Sequence, residues 1–595
     1  MKYGCFSSAF RPAVVSILAC LFALPAAAQD TERGYLQALK HLDTPADSAR
    51  AMDLAERTLY VQGSRLPVED LTEGGIYFLP MDGSLQVFGR YLRRYAPVRT
   101  VALSELKKIT PRDILIVGTC DVQQAKQAMR DGGLPGRVVW AVFGAPGRRV
   151  RQTIDAPQAD VVSAVSASSF SQIAAAEAIF GGIPVGDTPA LRLSYGYAEQ
   201  VGMSSDTLNR IDEEMRKIVS SGSAPGVHVL VGRHGRVVYD RWYGTTMGAM
   251  DGSEKVTGDM IYDMASVTKV MATLPFVMQL YDQGKIRLDD RLGEVMPKFR
   301  GTNKQDMILA DILTHRAGLK AWIPYYLQTI DSLTRPLPQY YRVTPDSVFT
   351  QEVVPGMYAV RSIKDTIERQ MILSPVKDDK KYVYSDFAFF IFRQMVEQFY
   401  RRPLDSLVQE GLYRPIGAWH TGFNPLKRFP ENRIVPSEND VYWRHTVVRG
   451  YVHDMAAAFL DGVSGHAGLF STADDMAKLC QMYLNWGAYG GKRYIDSNTV
   501  KLFASCYYRE QGNYRGLGFD RPSFSNRIMG PQTFGHTGFT GTAVWIDPEA
   551  DMIFVFLSNR TFESMNNNRL GNGGYRSRIQ KLCYNAITDD RADGK

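Results

Sequence analysis

Between Glu32 and Pro189 short apolar runs alternate with amphipathic segments. The runs GGIYFLP, VRTVAL, DILIVG, RVVWAVFG and ADVVSAVS are too short for helices and lack polar alternation, as expected of strands buried on both faces. DVQQAKQAMRDGG and SFSQIAAAEAIFGG, each closed by a glycine pair, read as helices between them. Strand and helix in alternation predict an α/β sandwich with a mostly parallel sheet over residues 32–189. Gly, Pro and Asp then cluster in GGIPVGDTPALRLSYG, a linker composition, and from about Leu191 the pattern changes. SSDTLNRIDEEMRKIVSS has a helical period. PGVHVLVGRHGRVVYDRWYG reads as a hairpin around His234 and Gly235, and TAVWIDPEADMIFVFLSNR as another around Asp547 and Pro548. With the largely helical stretch between them, residues 191–595 predict an α+β domain: an antiparallel sheet with helices and a helical subdomain.

The first 28 residues read differently again. Lys2 and Arg11 precede an apolar run from Ala13 to Leu24, and Ala26 and Ala28 occupy the A-x-A positions of a cleavage site. This is the pattern of a signal peptide, and the mature protein is expected to be exported, to a periplasm. Cys20 in ILAC offers a lipid-anchored alternative, but the apolar run continues past it to the alanine-rich site. No other stretch reaches the roughly 18 apolar residues of a membrane span. Without Lys2 and Arg11 the formal charge falls from +7 to +5, too small an excess to imply a polyanionic partner. Export further excludes nucleic acid. Cys120, Cys480, Cys506 and Cys583 are too scattered for a disulfide framework or a metal site, so neither metal nor cofactor is expected.

Candidate chemistry begins in YDMASVTKVMATLPFVMQLYDQGKIRLDD, where Ser266 stands three positions before Lys269 at the start of an apolar helical pattern. Val270, Leu274, Val277, Met278 and Tyr281 give that helix a buried face, and its first turn disfavours a second cation, so Lys269 is expected to lean toward the neutral amine, a base beside a hydroxyl. KYVYSDFAFFIFRQM puts Tyr384 just ahead of a helix, with Ser385 and Asp386 in its first turn. FGHTGFTGTAVWID puts His536, Thr537 and Gly538 where a glycine-rich turn enters a strand.

These three elements, S-x-x-K, Y-S-D and H-T-G, come in the order found in a family of serine hydrolases. The region from Leu191 to Tyr584 resembles the serine β-lactamase and penicillin-binding protein superfamily, its class C and D-aminopeptidase-like branch most closely. ILTHRAGL (312–319) and YRPIGAWHTGFNP resemble further segments of that family. GYVHDMAAAFLDGVSGHAGLFSTADDMAKL and GHTGFTGTAVWIDPE resemble signature segments of the serine N-acetylmuramoyl-L-alanine amidases of muropeptide recycling. Residues 32–189 resemble the α/β sandwich domain that follows the catalytic barrel of family 3 glycoside hydrolases, of the β-N-acetylglucosaminidase type. The barrel is missing here, so the first half is expected to be a glycosidase remnant without sugar cleavage of its own.

The resemblance implies an acyl-enzyme mechanism on peptidoglycan fragments, with Ser266 as nucleophile and Lys269 and Tyr384 moving its proton; which of the two takes it first is open. It also implies an oxyanion site between the backbone N–H groups of Ser266 and Phe539, and substrate contacts from Asp386, His536, Thr537, Gly538, His453 and His466. Asp386 stands where the penicillin-recognising pattern has asparagine, and His536 where it has lysine, which weakens attraction for a substrate carboxylate. The expected reaction is hydrolysis of the muramic acid–L-alanine amide, after a separate β-N-acetylglucosaminidase has removed the preceding sugar. The alternatives are a D,D-carboxypeptidase, an esterase, a β-lactamase, or a non-catalytic cell-wall binding module. His453, Asp454 and His466 have structural roles as their simpler reading. The aromatic run AWIPYY (321–326) is either helical-domain core or a lid, and Asn559 and Arg560 either approach the site or cap a strand.

Overall fold

The computed structural model describes residues 26–130, 136–154, 159–522 and 528–589; residues 1–25 of the expected leader lie outside them. The chain forms two compact units, one through Ser205 with Gly235–Val237, the other Asp206–His234 with Val238 onward.

In the first unit the strands β1 (Tyr60–Gln62), β2 (Ile76–Pro80), β3 (Arg99–Thr100), β4 (Ile114–Thr119), β5 (Arg137–Phe143) and β6 (Asp160–Ala164) lie in the order β1-β6-β5-β4-β2-β3. Neighbours from β3 to β6 are parallel, while β1 closes the edge antiparallel to β6. The five apolar runs are all strands. β1 was not foreseen, because it is three residues long and fully buried at none of them. Leu115, Val117 and Trp140 pack with Val122, Ala125, Val150 and Ile154 from the helices Val122–Ala128 and Gly147–Ile154. Phe78 and Phe143 point the other way and meet Phe88 of the helix Gln86–Tyr95 edge-on, at 5.4 and 5.2 Å between ring centres. Helices therefore cover both faces, as a parallel sheet requires. The helix Ser169–Phe180 ends on Gly181, whose φ of 72° is the left-handed cap glycine adopts without penalty.

The second unit is built on β7 (Gly226–Arg233), β8 (Arg236–Gly244), β9 (Tyr262–Asp263), β10 (Gly422–Phe423), β11 (Leu469–Ser471), β12 (Phe534–Thr537), β13 (Ala543–Asp547) and β14 (Met552–Ser558). The large sheet runs β12-β13-β14-β7-β8, antiparallel along β12, β13, β14 and β7. Positive φ at His234 and Gly235, 49° and 72°, turns β7 into β8. β14 is buried at every position, and the helix Ala473–Leu484 packs across β13, β14 and β7. A small antiparallel sheet, β9-β11-β10, sets the residues just before Ser266.

Two local expectations are corrected. The stretch read as one apolar helix is three pieces: a 3₁₀ turn Ala265–Val267, a π-turn Lys269–Thr273 and an α-helix Leu274–Asp282. Pro275, in the first turn of that α-helix, has no N–H to continue a regular ladder. His536 and Thr537 close β12 rather than open a strand, and the glycine-rich turn follows them.

Candidate active site

Ser266 lies in the 3₁₀ turn that follows β9. Ala265 before it has φ of 44°, a conformation that costs a residue with a side chain on the order of 1–3 kcal/mol. Asp263 holds it there: Oδ1 accepts from Ala265 N at 2.8 Å and Oδ2 from His453 N at 2.7 Å. Burial nonetheless raises the Asp263 carboxyl above the usual range.

Lys269 is fully buried behind Ser266. Its Nζ donates to Ser266 Oγ at 2.9 Å, to Asp386 Oδ1 at 2.7 Å and to the His466 carbonyl at 3.3 Å. Burial opposes the charge, but Asp386 and then Tyr384 outweigh it, and the ammonium ionises above the ordinary lysine range. The expectation of an amine leaning toward neutrality is overturned. The apolar wall is there, but it contains a carboxylate.

Tyr384 and Asp386 enter from the start of the helix Phe387–Tyr400. Residues 315–321 hold this start from behind: Ser385 Oγ donates to Lys320 O at 2.6 Å, Asp386 N to Ala321 O at 3.0 Å and Ser385 N to His315 Nδ1 at 3.2 Å. The Tyr384 ring lies 4.7 Å from the His315 ring and 6.0 Å from that of His536. Lys269 Nζ and the Arg515 guanidinium stand 5.0 and 5.8 Å from its centre. His536 donates from Nδ1 to Thr537 O at 2.7 Å, leaving Nε2 buried and without a partner among the described residues. Burial, with Arg515 and Lys269 nearby, pushes both imidazoles far below their usual range, so both are neutral.

The turn after His536 and Thr537 is laced to the residues before Ser266. Thr540 Oγ1 donates to Asp263 O at 2.8 Å and Thr542 Oγ1 to Met264 O at 3.1 Å. Gly538 sits so close that a Cβ there would meet Thr542 Oγ1 at 2.1 Å and Met264 O at 2.6 Å. The lacing brings Ser266 and Phe539 to the wall of one cavity of about 560 Å³. Tyr384, Asp386, His453, Asp454, His466, His536, Thr537 and Gly538 line the same cavity.

His453 and His466 are held by protein partners. His453 Nε2 is 3.3 Å from Glu438 Oε2; burial would lower this imidazole, but Glu438 raises it above its usual range. His466 contacts Asp454 Oδ1 at 2.9 Å and Ser464 Oγ at 2.8 Å, and its ring stacks on Phe390 at 4.5 Å. Asp386, Asp454 and His466 bring possible ligand atoms within 4.8 Å of one another. The Lys269 ammonium against Asp386 already supplies a cation there.

Several cavity residues were not singled out from sequence. Arg515 donates from Nη1 to Asp520 Oδ1 at 2.9 Å and to Tyr382 Oη at 3.3 Å, while its Nε and Nη2 are buried without partners among the described residues. Nothing in NYRGLGFD distinguishes it from a surface arginine. The run AWIPYY divides: Trp322 is half-exposed at the cavity and Tyr325 is buried core. Asn559 caps strands, accepting from Gly226 N and donating to Thr246 O and Pro436 O. Arg560 reaches the site through Phe539, over whose ring its guanidinium lies at 4.6 Å.

A family model described as Beta-lactamase matches residues 211–571, more than half of the chain. The chain belongs to the beta-lactamase family. It is a serine hydrolase of that family, and apart from Gly235–Val237 the matched residues belong to the second compact unit. A protein of Escherichia coli (strain K12) named "Putative D-alanyl-D-alanine carboxypeptidase" is 32% identical over 394 residues, 61% of this chain and 84% of that relative. A protein of the same name from Salmonella enteritidis PT4 (strain P125109) is 31% identical over 401 residues, 62% and 86% of the two. Among solved structures, a penicillin-binding protein homologue from Caulobacter crescentus has 16% identity and a TM-score of 0.47, covering 65% of this chain and 99% of that one.

Proposed function

We propose that this beta-lactamase-family hydrolase cleaves amides of peptidoglycan-derived peptides through an acyl-enzyme on Ser266. The observation that carries the reading is the hydrogen-bonded run Ser266–Lys269–Asp386 opening onto the cavity. Lys269, held as a cation, donates to Ser266 Oγ and has no lone pair to take its proton. Tyr384 is then the group that, acting as its phenolate, accepts it on attack and returns it to the leaving amine; the cationic Lys269 and Arg515 beside its ring favour the negative charge its oxygen carries before and after that relay. The tetrahedral oxyanion is stabilised by the backbone N–H groups of Ser266 and Phe539, where one lost donor typically costs about 10²–10³ in rate. Water then repeats the sequence on the ester.

The substrate reading is the amide between N-acetylmuramic acid and L-alanine. Supporting it are the segments at 450–479 and 535–549, and a cavity edged by the half-exposed rings of Trp322, Tyr382 and Phe539, faces on which a sugar can pack. His453, His466, Thr537 and Gly538 shape this pocket. A second reading, the D-alanyl-D-alanine carboxypeptidase named for the relatives, is favoured by one observation: the free Arg515 N–H groups suit a carboxylate next to the scissile bond. Mass spectrometry of timed digests separates the two. Muramoyl dipeptide yielding free dipeptide supports the first, and release of terminal D-alanine alone replaces it with the second.

The first unit is read as a glycosidase-derived α/β module working beside a separate β-N-acetylglucosaminidase, in an exported protein. Among the described residues no helix is long and apolar enough to cross a membrane. Release of chromophore from β-N-acetylglucosaminides by the purified chain would refute the remnant reading.

A further inference from the structure

The segment carrying Lys269 leaves the α-helical ladder directly after Ser266. Leu274 N donates to Lys269 O, five residues back, which defines the π-turn Lys269–Thr273. Pro275 follows, and with no N–H it can serve neither Val270, five residues back, nor Met271, four back. Two buried carbonyls would lose that backbone donor, an expensive outcome inside a protein. Both are met by side chains from distant parts of the chain. Tyr483 Oη donates to Val270 O at 2.6 Å and Tyr413 Oη to Met271 O at 2.9 Å. Both tyrosines are fully buried, and burial keeps their phenols protonated, as donors must be.

Tyr413 is itself the last residue of a second π-turn, Gln409–Tyr413, closed by Arg414 N on Gln409 O and followed by Pro415. The same device, a π-turn ahead of a proline, therefore occurs on both sides of one hydrogen bond. Thr273 Oγ1 adds a third tie, to Gly465 O at 2.8 Å, next to the His466 carbonyl that accepts from Lys269. A π-turn rotates the residues before it relative to the helix after it, so its persistence decides where the Lys269 side chain starts.

We propose that Tyr413 and Tyr483 are positioning residues: by capping the Val270 and Met271 carbonyls they hold the π-turn that aims Lys269 at Ser266 and Asp386. The proposal rests on the assignment of Lys269 to the reaction, and nothing in it depends on which peptidoglycan amide is cleaved.

The test uses the full chain and a small activated ester. In Tyr413→Phe and Tyr483→Phe, kcat should fall about tenfold with KM within about twofold. The groups around Lys269 are Ser266, Asp386 and Tyr384, with the neutral His315 and His536 and the cationic Arg515 beyond. If Lys269 is drawn off Asp386, its pKa falls, so the basic limb of the pH–kcat/KM profile should move to lower pH. A purely structural role would reduce the amount of folded enzyme without moving that limb. Pro275→Ala supplies the missing N–H, so the loss from Tyr413→Phe should shrink in that background. Pro275→Ala also decides the matter if a Phe variant fails to fold, since recovery of folding and of the limb in the double variant supports the capping role. An unmoved limb together with simply additive losses, or no recovery in the double variant, overturns the proposal. Lost turnover in Ser266→Ala with turnover retained in Lys269→Ala would instead refute the catalytic assignment on which it rests.

Discussion

The Lys269 ammonium lies 2.7 Å from a carboxylate oxygen of Asp386, in a position where neither side chain has its full share of water. Burial alone would turn the lysine into a neutral base; the carboxylate turns it into a fixed cation. In the proposed mechanism that one contact leaves the proton-accepting step to Tyr384 and makes activity depend on Lys269 keeping its proton.

Replacing Asp386 by Asn removes the counter-charge without changing shape. Lys269 is raised in the folded protein mainly by that charge, so its pKa should fall in Asp386→Asn. The basic limb of kcat/KM should then move to lower pH, with a roughly tenfold loss at the optimum. A pH–rate profile checks it; an unmoved limb would mean that some other group sets it.

Ser266→Ala and Lys269→Ala should each abolish nearly all turnover while the chain stays folded. Residues acting as a unit are not additive, so the double variant should be no more than a fewfold worse than either single one. Single-turnover assays with a fluorophosphonate probe on Lys269→Ala would show whether acylation is the step lost.

Arg515 has two buried N–H-bearing nitrogens with no partner among the described residues. Arg515→Ala should raise KM about 10–100-fold for peptides carrying a carboxylate near the scissile amide, the worth of one charge-assisted hydrogen-bonded pair. It should leave a neutral ester within about threefold. Equal losses on both would assign Arg515 to holding Tyr382 and Tyr384 instead.

The neutral His315 and His536 give stability a specific pH dependence. Both bind protons less readily folded than unfolded, relative to an ordinary value of 6.5. Below about pH 6.5 the unfolded chain therefore takes up protons that the folded chain refuses, and stability is lost as pH falls. With two such sites the limiting slope is about 2.7 kcal/mol per pH unit. Urea unfolding between pH 7 and 5 measures it, and His315→Gln should halve this part of the slope.

The five parallel strands of the first unit, both hairpins of the second and the S-x-x-K, Y-S-D and H-T-G elements are legible in the sequence. A run such as DILIVG, or a turn such as His234–Gly235, is specified by neighbours within a few residues. Local sterics and burial period act at that range. What lay beyond the sequence is each property set by groups that meet only on folding. The charge of Lys269 depends on Asp386, 117 residues away. Arg515 is unremarkable until the fold points it at Tyr384. The π-turn was hidden even though Pro275 is plain in the sequence, because a proline there predicts only that a ladder breaks. What fills the gap comes from Tyr413 and Tyr483, 142 and 213 residues downstream of their acceptors. Sequence alone singled out Ser266, Lys269, Tyr384 and the H-T-G turn as candidates for the chemistry, because each lies in a local pattern of residue types. Tertiary structure decided their protonation, because desolvation and charge pairing are properties of a surrounding that no local stretch of chain contains.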